Sequence, residues 1–283
     1  MNETIKNRYE ALLIFDVENG NPNGDPDNAN LPRQNFESGI GYVTDVCLKH
    51  KSRAYIQTFY DGEAGMNILM KPDRSLNSKF AEAYDALNLK KNDKNLQNQE
   101  LARKYMLKNY WDVRVYGAVM STGDNPAGRV RGAVQVSFAK SVDPIEVEEI
   151  SITRQVRTKD EEIDGNGTFG HKAFVPYGLY VAKVFVSAPM AEEVGLTEED
   201  LEKVWESYMN MFEHDHSAAR GVMTMRKIIL FKHESAKGNA PQSKLFDLVK
   251  IEKNVDTPSK FDDYTITIDY ENVPDKIELI EKL

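Results

Sequence analysis

Residues 7–33 read NRYEALLIFDVENGNPNGDPDNANLPR, and the two halves of that stretch make opposite demands on the backbone. From Arg8 to Val17 the apolar side chains Ala11, Leu13, Phe15 and Val17 fall on alternate positions, so an extended chain gathers them on one face of a strand. From Asn19 to Leu31 neither strand nor helix can continue. Pro22 and Pro26 have no N–H to donate, and Gly20 and Gly24 favour backbone angles other residues avoid. A first strand running straight into a turn-rich loop is the expectation.

Working outward, a helix is predicted to begin at Thr44 or Ser38 and run to about Phe59. In it Val43, Cys47, His50 and Ala54 recur at helical spacing and would face a core, with Lys49 and Arg53 one turn apart on another face. Leu76–Leu89 and Leu101–Tyr110 also read as helices. Trp111 to Met120 alternates Val113, Val115, Gly117 and Val119 and predicts a strand; Val130 to Phe138 predicts a second, central one. Ile150–Val156 and Phe174–Val186 flank the polar run RTKDEEIDGNGTFGHK (157–172), which reads as a long hairpin excursion. Thr197 opens a helix through Phe212, its TEED resembling a capping box. Val222–Phe231 and Tyr264–Tyr270 supply later strands. Strand, helix, strand, strand with long excursions points to an α+β fold, a ferredoxin-like core carrying insertions.

Composition narrows the class. With 283 residues, 41% hydrophobic and 29% charged, and a mean hydropathy of -0.54, a disordered or collagen-like chain is excluded. One cysteine, Cys47, excludes a disulfide framework and any Cys-rich zinc or iron–sulfur site. The apolar run Ala11–Phe15 is too short for a signal peptide, and Ala173–Ala191 is broken by Pro176, Gly178, Lys183 and Pro189, so no membrane span and a cytoplasmic location are expected. The net charge of -9 is unevenly spread. Ala191–Glu213 carries eight acids against one lysine, and Glu252–Leu283 nine acids against four lysines. Thr44–Thr58 and Pro126–Lys140 are basic, which leaves room for a local cationic groove.

No catalytic constellation stands out, and no cofactor is implied. Asp16, Asp25 and Asp27, with Glu18, cluster around the first loop and have the oxygen chemistry of a divalent-cation site, but Asx residues beside Gly and Pro are ordinary turn formers, and the turn reading is preferred. His214 and His216 lack a third ligand. Neither GxGxxG nor GxxxxGK[ST] occurs. Nucleic-acid binding leaves more of a trace. Arg129 and Arg131 alternate between Gly128 and Gly132, so on an extended segment both guanidiniums project from one face toward a phosphate or, equally, toward solvent. Lys49 and Arg53 offer a second pair, which surface solvation explains as readily. Arg154, Arg157, His171 and Lys172 lie at the base of the excursion. Phe169, between glycines, is a candidate to stack on bases or to tuck under its own loop.

Four blocks together carry a family resemblance: residues 7–33 above, VTDVCLKHKSR (43–53), GAVQVSFAKSVDPIEVEEISITRQ (132–155) and FKHESAKGNAPQSKLFDLV (231–249). The sequence resembles, from about residue 5 to 272, the backbone subunit of the type I-C CRISPR Cascade complex, of the RAMP superfamily. The resemblance implies one RRM-like (ferredoxin-like) palm spanning 1–283, with a helical lobe at about 60–111 and a thumb hairpin at about 152–174. It implies a non-catalytic subunit whose copies stack along a CRISPR RNA, gripping its backbone and displaying the guide for pairing with target DNA. Implied partners are neighbouring copies, the repeat-processing, large and small Cascade subunits, and a recruited helicase-nuclease. Carried onto this sequence, Asn19, Gly20 and Asn21 would lie against the RNA. Lys49, Lys51 and Arg53 would hold its backbone, and Arg129 and Arg131 would lie in the palm. Arg154, Gln155 and Arg157 would stand near the thumb's root, with Phe169, His171 and Lys172 on its returning arm. A metal-dependent ribonuclease using Asp16, Asp25 and Asp27 is the competing expectation, because related backbone subunits cut RNA with a loop aspartate.

Overall fold

The computed structural model describes residues 3–91, 95–154 and 168–283, and among them a central antiparallel sheet is combined with seven helices in an α+β fold. In chain order come β1 (Tyr9–Gly20), the short strands β2 (Gly24–Asp25) and β3 (Leu31–Pro32), β4 (Ile40–Val43) and helix α1 (Asp45–Tyr60). Helices α2 (Leu76–Ala86), α3 (Leu96–Asn109) and α4 (Trp111–Tyr116) follow. The strands β5 (Gly117–Met120), β6 (Gly128–Arg131), β7 (Val134–Val136), β8 (Ala139–Pro144), β9 (Glu148–Arg154) and β10 (Thr168–Val186) come next. The remainder is α5 (Ala188–Val194), α6 (Glu198–Asn210), β11 (Val222–His233), α7 (Gln242–Phe246), β12 (Val249–Lys253), β13 (Tyr264–Ile268) and β14 (Ile277–Lys282).

The main sheet runs β14–β11–β1–β10–β8–β4, with β7 and β9 also paired to β10. Strand β1 is therefore interior, hydrogen-bonded to β10 on one side and β11 on the other, and every residue from Tyr9 to Val17 is buried. Its alternation sorts the two cores as the sequence predicts for the first: Ala11, Leu13, Phe15 and Val17 join the core under α1 and α6. Leu12 and Ile14 join a second core closed by α7 and the β12–β13 hairpin. Burial on both faces explains the near-continuous apolar run. A buried polar link ties β1 to β11: Asn239 N–H donates to His233 Nδ1 (2.7 Å), leaving Nε2–H for Glu10 at 2.5 Å.

Strand β10 outruns the sheet. Its residues 175–186 pair with β1, but 168–174 pair only with β9, so the β9–β10 arms leave the body and leave Ile150 and Ile152 about half exposed. Helix α6 starts at the predicted capping box, with Thr197 and Asp200 bonding each other's backbone N–H. Asp200 also takes Arg114 of α4 at 2.8 Å, while Arg114 donates to the Leu107 carbonyl at the end of α3 (2.7 Å). One guanidinium thus satisfies a helix C-terminus and locks α4 to the start of α6.

Three expectations need correction. Trp111–Tyr116 is a helix and only Gly117–Met120 a strand. All six helical residues are buried, and an element covered on every side has no apolar period to read. Val130–Phe138 is not one central strand: β6 pairs with β5, β7 with β10, and the chain breaks at Gly132. There a Cβ would stand 2.2 Å from the Tyr116 carbonyl carbon, so only glycine fits. The core face of α1 is Leu48, Ser52, Tyr55 and Ile56 with Lys51, whereas His50 and Ala54 are exposed. The helix is turned by buried polar groups, the Ser52 hydroxyl meeting Ser207 (2.7 Å) and Tyr116 (2.7 Å), which an apolar count passes over.

Phe15 is fully buried, 5.6 Å from Tyr180 in a stacked pair and 5.1 Å from Phe212. Phe15→Ala is expected to cost about 3–5 kcal/mol in urea unfolding. Glu18→Ala, exposed on the same strand, should stay within about 0.5 kcal/mol. Equal midpoints for the two variants would refute the central role given to β1.

Candidate nucleic-acid interface

The turn-rich loop is held by close backbone contact and by the side chains of Asn21 and Asn23. At the end of β1, Asn19 has φ +50°, and a Cβ on Gly20 would sit 1.9 Å from the Arg220 carbonyl oxygen. On the opposing turn Gly221 has φ +61°, and its Cβ would sit 2.4 Å from the Glu18 and Asn19 oxygens. Asn21 N–H donates to the Ala219 carbonyl (2.8 Å) and Asn21 Nδ2 to the Asn30 carbonyl (2.7 Å), leaving Asn21 Oδ1 buried without a partner. Farther along, Asn23 Oδ1 accepts from both the backbone and the hydroxyl of Thr44 (3.0 and 2.9 Å), the residue that caps α1. The loop therefore brings the 217–221 turn and the start of α1 together.

Cations collect where these pieces meet. Lys51 is almost fully buried and pairs with Asp215, lying 5.7 Å over the Phe212 ring. Arg220, a third exposed, pairs with the same carboxylate. Arg33 reaches Asp25 at 3.3 Å, Lys49 reaches Asp45 at 2.8 Å, and Arg53 reaches the buried Asp112 at 2.9 Å. Five cations thus share four carboxylates, and the surplus falls on the Lys51–Asp215–Arg220 group. Half-buried Cys47 sits in this field: burial pushes its thiol up, while Lys51, Arg220 and Arg33 pull it the other way. Partial burial, then Lys51, Arg220 and Arg53, hold His50 below the ordinary histidine value. Arg33, Arg220 and His50 were not anticipated from the sequence. The signal present was thin: one arginine beside a proline, one beside a glycine, and a histidine assigned to the core.

Other expected positions lie elsewhere. Arg129 and Arg131 are exposed on β6 with buried Val130 between them, so the extended spacing puts both on one face. Arg131 lines a cavity of about 470 Å³ with Arg8, Tyr9, Ser187 and Lys237, at the Tyr9 end of β1. The Asn19–Asn21 loop is at the other end of that strand, roughly 35 Å away at the usual rise per residue. Arg131 is nonetheless paired with Gly117, the neighbour of Tyr116, and the Tyr116 ring lies under Lys49 (5.9 Å) and Arg53 (5.0 Å), so β6 is remote from the loop but adjoins the basic face of α1. On the β9–β10 arms the backbone pairs Arg154 with Thr168 and Thr153 with Phe169. His171 is exposed, and Lys172 lies 5.9 Å over the Phe174 ring. Gln155 and Arg157 lie outside the described residues.

The loop aspartates do not assemble. Asp16 is buried on the face of β1 that carries Leu12 and Ile14, accepting from Arg226 Nε (2.8 Å) and the Tyr177 hydroxyl (3.1 Å). Burial pushes its carboxyl up against the opposing pull of those donors. Asp25 is a turn former: its carbonyl accepts from Asn28 and Asn30, and its side chain from Asp27 N–H. Among the described residues no three His, Cys, Asp or Glu side chains converge on a metal position. The competing ribonuclease expectation has no support from this arrangement.

The fold and its cationic end define an α+β protein with an antiparallel sheet, α1 and α6 on one face, α7 on the other, and a basic loop–helix junction. The profile of the family described as "CRISPR-associated protein Cas7" matches residues 7–269, and the chain belongs to that family. A protein named CRISPR-associated protein Cas7 from Haloferax volcanii is 25% identical over 219 residues, covering 71% of this chain and 63% of that protein. The chain thus spans less than two thirds of the curated relative it matches. A chain of a solved "CRISPR RNA-guided surveillance complex, pre-nicking" is similar in fold at TM-score 0.51 and 14% identity, over 79% of this chain and 78% of that one. A chain of another CRISPR RNA-guided surveillance complex aligns at TM-score 0.48 and 13% identity, over 79% and 68%.

A phosphate docked at this junction would offset the Lys51, Arg220 and Arg53 charges that act with burial on His50 and so raise its proton affinity, and binding takes up a proton. Affinity for single-stranded RNA is expected to rise as pH falls from about 7.5 to about 5.5 around the histidine range, and His50→Gln should flatten that dependence. A wild-type titration that is already flat would remove His50 from the interface.

Proposed function

We propose that this chain is a non-catalytic, RNA-binding backbone subunit of a type I-C CRISPR surveillance complex, working in the cytoplasm. Its copies assemble along one CRISPR RNA, hold the phosphate backbone without reading sequence, and present the guide bases to a target DNA strand. Membership in the Cas7 family over residues 7–269 carries the reading. The order β11–β1–β10–β7/β8, with α1 and α6 on one face, supports an RRM-like palm. The helical segment at about 60–111 is the lobe, and 152–174 is the thumb reaching a neighbouring copy. The repeat-processing, large and small subunits and a recruited helicase-nuclease complete the set of partners.

In this reading the junction at Asn19, Gly20 and Asn21, with Lys49, Arg53, Arg33 and Arg220, meets phosphates. Lys51 is internal and holds Asp215, so that Arg220 carries the unshared positive charge outward. Arg129 and Arg131, on β6 beyond the Tyr116 ring that Lys49 and Arg53 overlie, take the RNA where it passes between copies. Arg154, Gln155, Arg157, Phe169, His171 and Lys172 act from the thumb. Phosphate contacts carry affinity and no base information, which suits a subunit that must accept any guide. Strong acidity at 191–213 and 252–283 gives adjacent copies a face complementary to those basic ends.

Purification from a host expressing the matching array should recover intact RNA of one length together with the partner subunits. RNA that shortens in Mg²⁺ and survives in EDTA would argue for a nuclease instead. Arg220→Ala and Lys49→Ala should each weaken RNA binding equally across sequences and lower the salt slope by about 0.7. Altered sequence preference at an unchanged slope would overturn the assignment of this junction.

A further inference from the structure

The second face of the sheet is covered only in part. Leu12, Ile14 and Leu179 are sealed beneath α7 and the β12–β13 hairpin. Farther out the cover thins: Val142, Val181 and Phe185 are only partly buried against this core. On β4, β8 and the outer edge of β10, the residues facing the helices are Val43, Ala139, Ala182 and Val184, all fully buried. Their neighbours Tyr42, Lys140 and Lys183 therefore point to the opposite face. Tyr42 and Lys140 are direct cross-strand partners, and Lys140 is in turn paired with Val181 of β10. Phe138, two positions before Lys140, lies parallel to Tyr42, with ring centroids 6.0 Å apart and planes 9° apart.

Phe138 is 49% exposed, unusual for a ring already packed against another. Lys140 and Lys183 are exposed and have no acidic partner among the described residues. Lys183 Nζ lies 4.7 Å over the Phe246 ring, at the border of the covered area. Two parallel rings at 6.0 Å are offset, which leaves ring face open to a third planar group. Aromatic faces flanked by unpaired cations are the chemistry that holds unpaired bases with their phosphates. A protein partner would need acids to meet the lysines and would leave the rings no particular advantage; a single strand satisfies both at once. We infer that this outer strip, Tyr42–Phe138 with Lys140 and Lys183, is a sequence-tolerant site for single-stranded nucleic acid. It is on the sheet face opposite α1 and so distinct from the loop–helix junction.

The purified full-length protein is titrated with an oligouridine carrying 2-aminopurine, whose emission falls when the base stacks. Strong quenching is expected for the wild type. Phe138→Leu and Tyr42→Leu keep the apolar clip between β4 and β8, and each should weaken binding roughly tenfold and lose the quench, while Phe138→Trp should preserve it. Lys140→Ala and Lys183→Ala should each lower the salt slope by about 0.7. Unchanged affinity and quench in Phe138→Leu, at an unchanged melting temperature, would overturn the inference. So would variants that alter self-association in sedimentation while leaving the quench intact. Arg220→Ala separates this site from the proposed guide interface: it should spare the quench, and its effect on guide recovery tests only the other reading.

Discussion

Burial of β1 on both faces is the constraint from which the rest follows. Held between β10 and β11, it can move neither sideways nor in register, because a one-residue slip would exchange Leu13 and Phe15 for Leu12 and Ile14 in cores of different shape. Its end is therefore a fixed point, and Gly20 is pressed against Arg220 and Gly221 without room for a side chain. That contact sets where Arg220 stands relative to α1. The cationic junction is thus a consequence of the centre of the sheet, transmitted through backbone.

An acidic protein can still offer a polyanion a foothold when its charges are sorted in space. Here the junction keeps one carboxylate, Asp215, between two cations. Burying Lys51 is costly unless it is paired, so Asp215 is committed inward and Arg220 is left under-compensated at the surface. The same logic places Arg53 on Asp112, a carboxylate that also accepts from the backbone N–H groups of Leu69 and Met70 and so is held rigidly. These ion pairs orient the cations more than they stabilise the fold.

The parts legible in sequence were those governed by local chemistry. The alternation of Ala11, Leu13, Phe15 and Val17, the proline- and glycine-set loop and the Thr197 cap each depend on a few neighbouring residues; the first and last are found as expected, while in the loop β1 runs on through Gly20 and Gly24–Asp25 pairs with Leu31–Pro32. The face of α1 and the helical state of Trp111–Tyr116 were not legible. Both are decided by groups distant in sequence: Ser207 and Tyr208 rotate α1 through Ser52 and Tyr116, and Asp200 and Arg53 neutralise the charges of a helix that has no exposed side.

By itself the sequence determined the central strand, its terminating loop, the α+β class and the resemblance to a CRISPR backbone family, because periodicity, turn chemistry and motif are properties of contiguous residues. Only the tertiary structure decided which cations act together. Arg33, Lys51 and Arg220 are far apart in the chain and meet around Cys47, while Arg129 and Arg131, as basic as any of them, lie on the separate β5–β6 hairpin, where Arg131 lines a cavity with Tyr9. It also decided that Tyr42 and Phe138 share an uncovered face. The physical reason is the same in each case: electrostatic and stacking contacts depend on distance in space, and the antiparallel pairing of strands remote in sequence sets those distances.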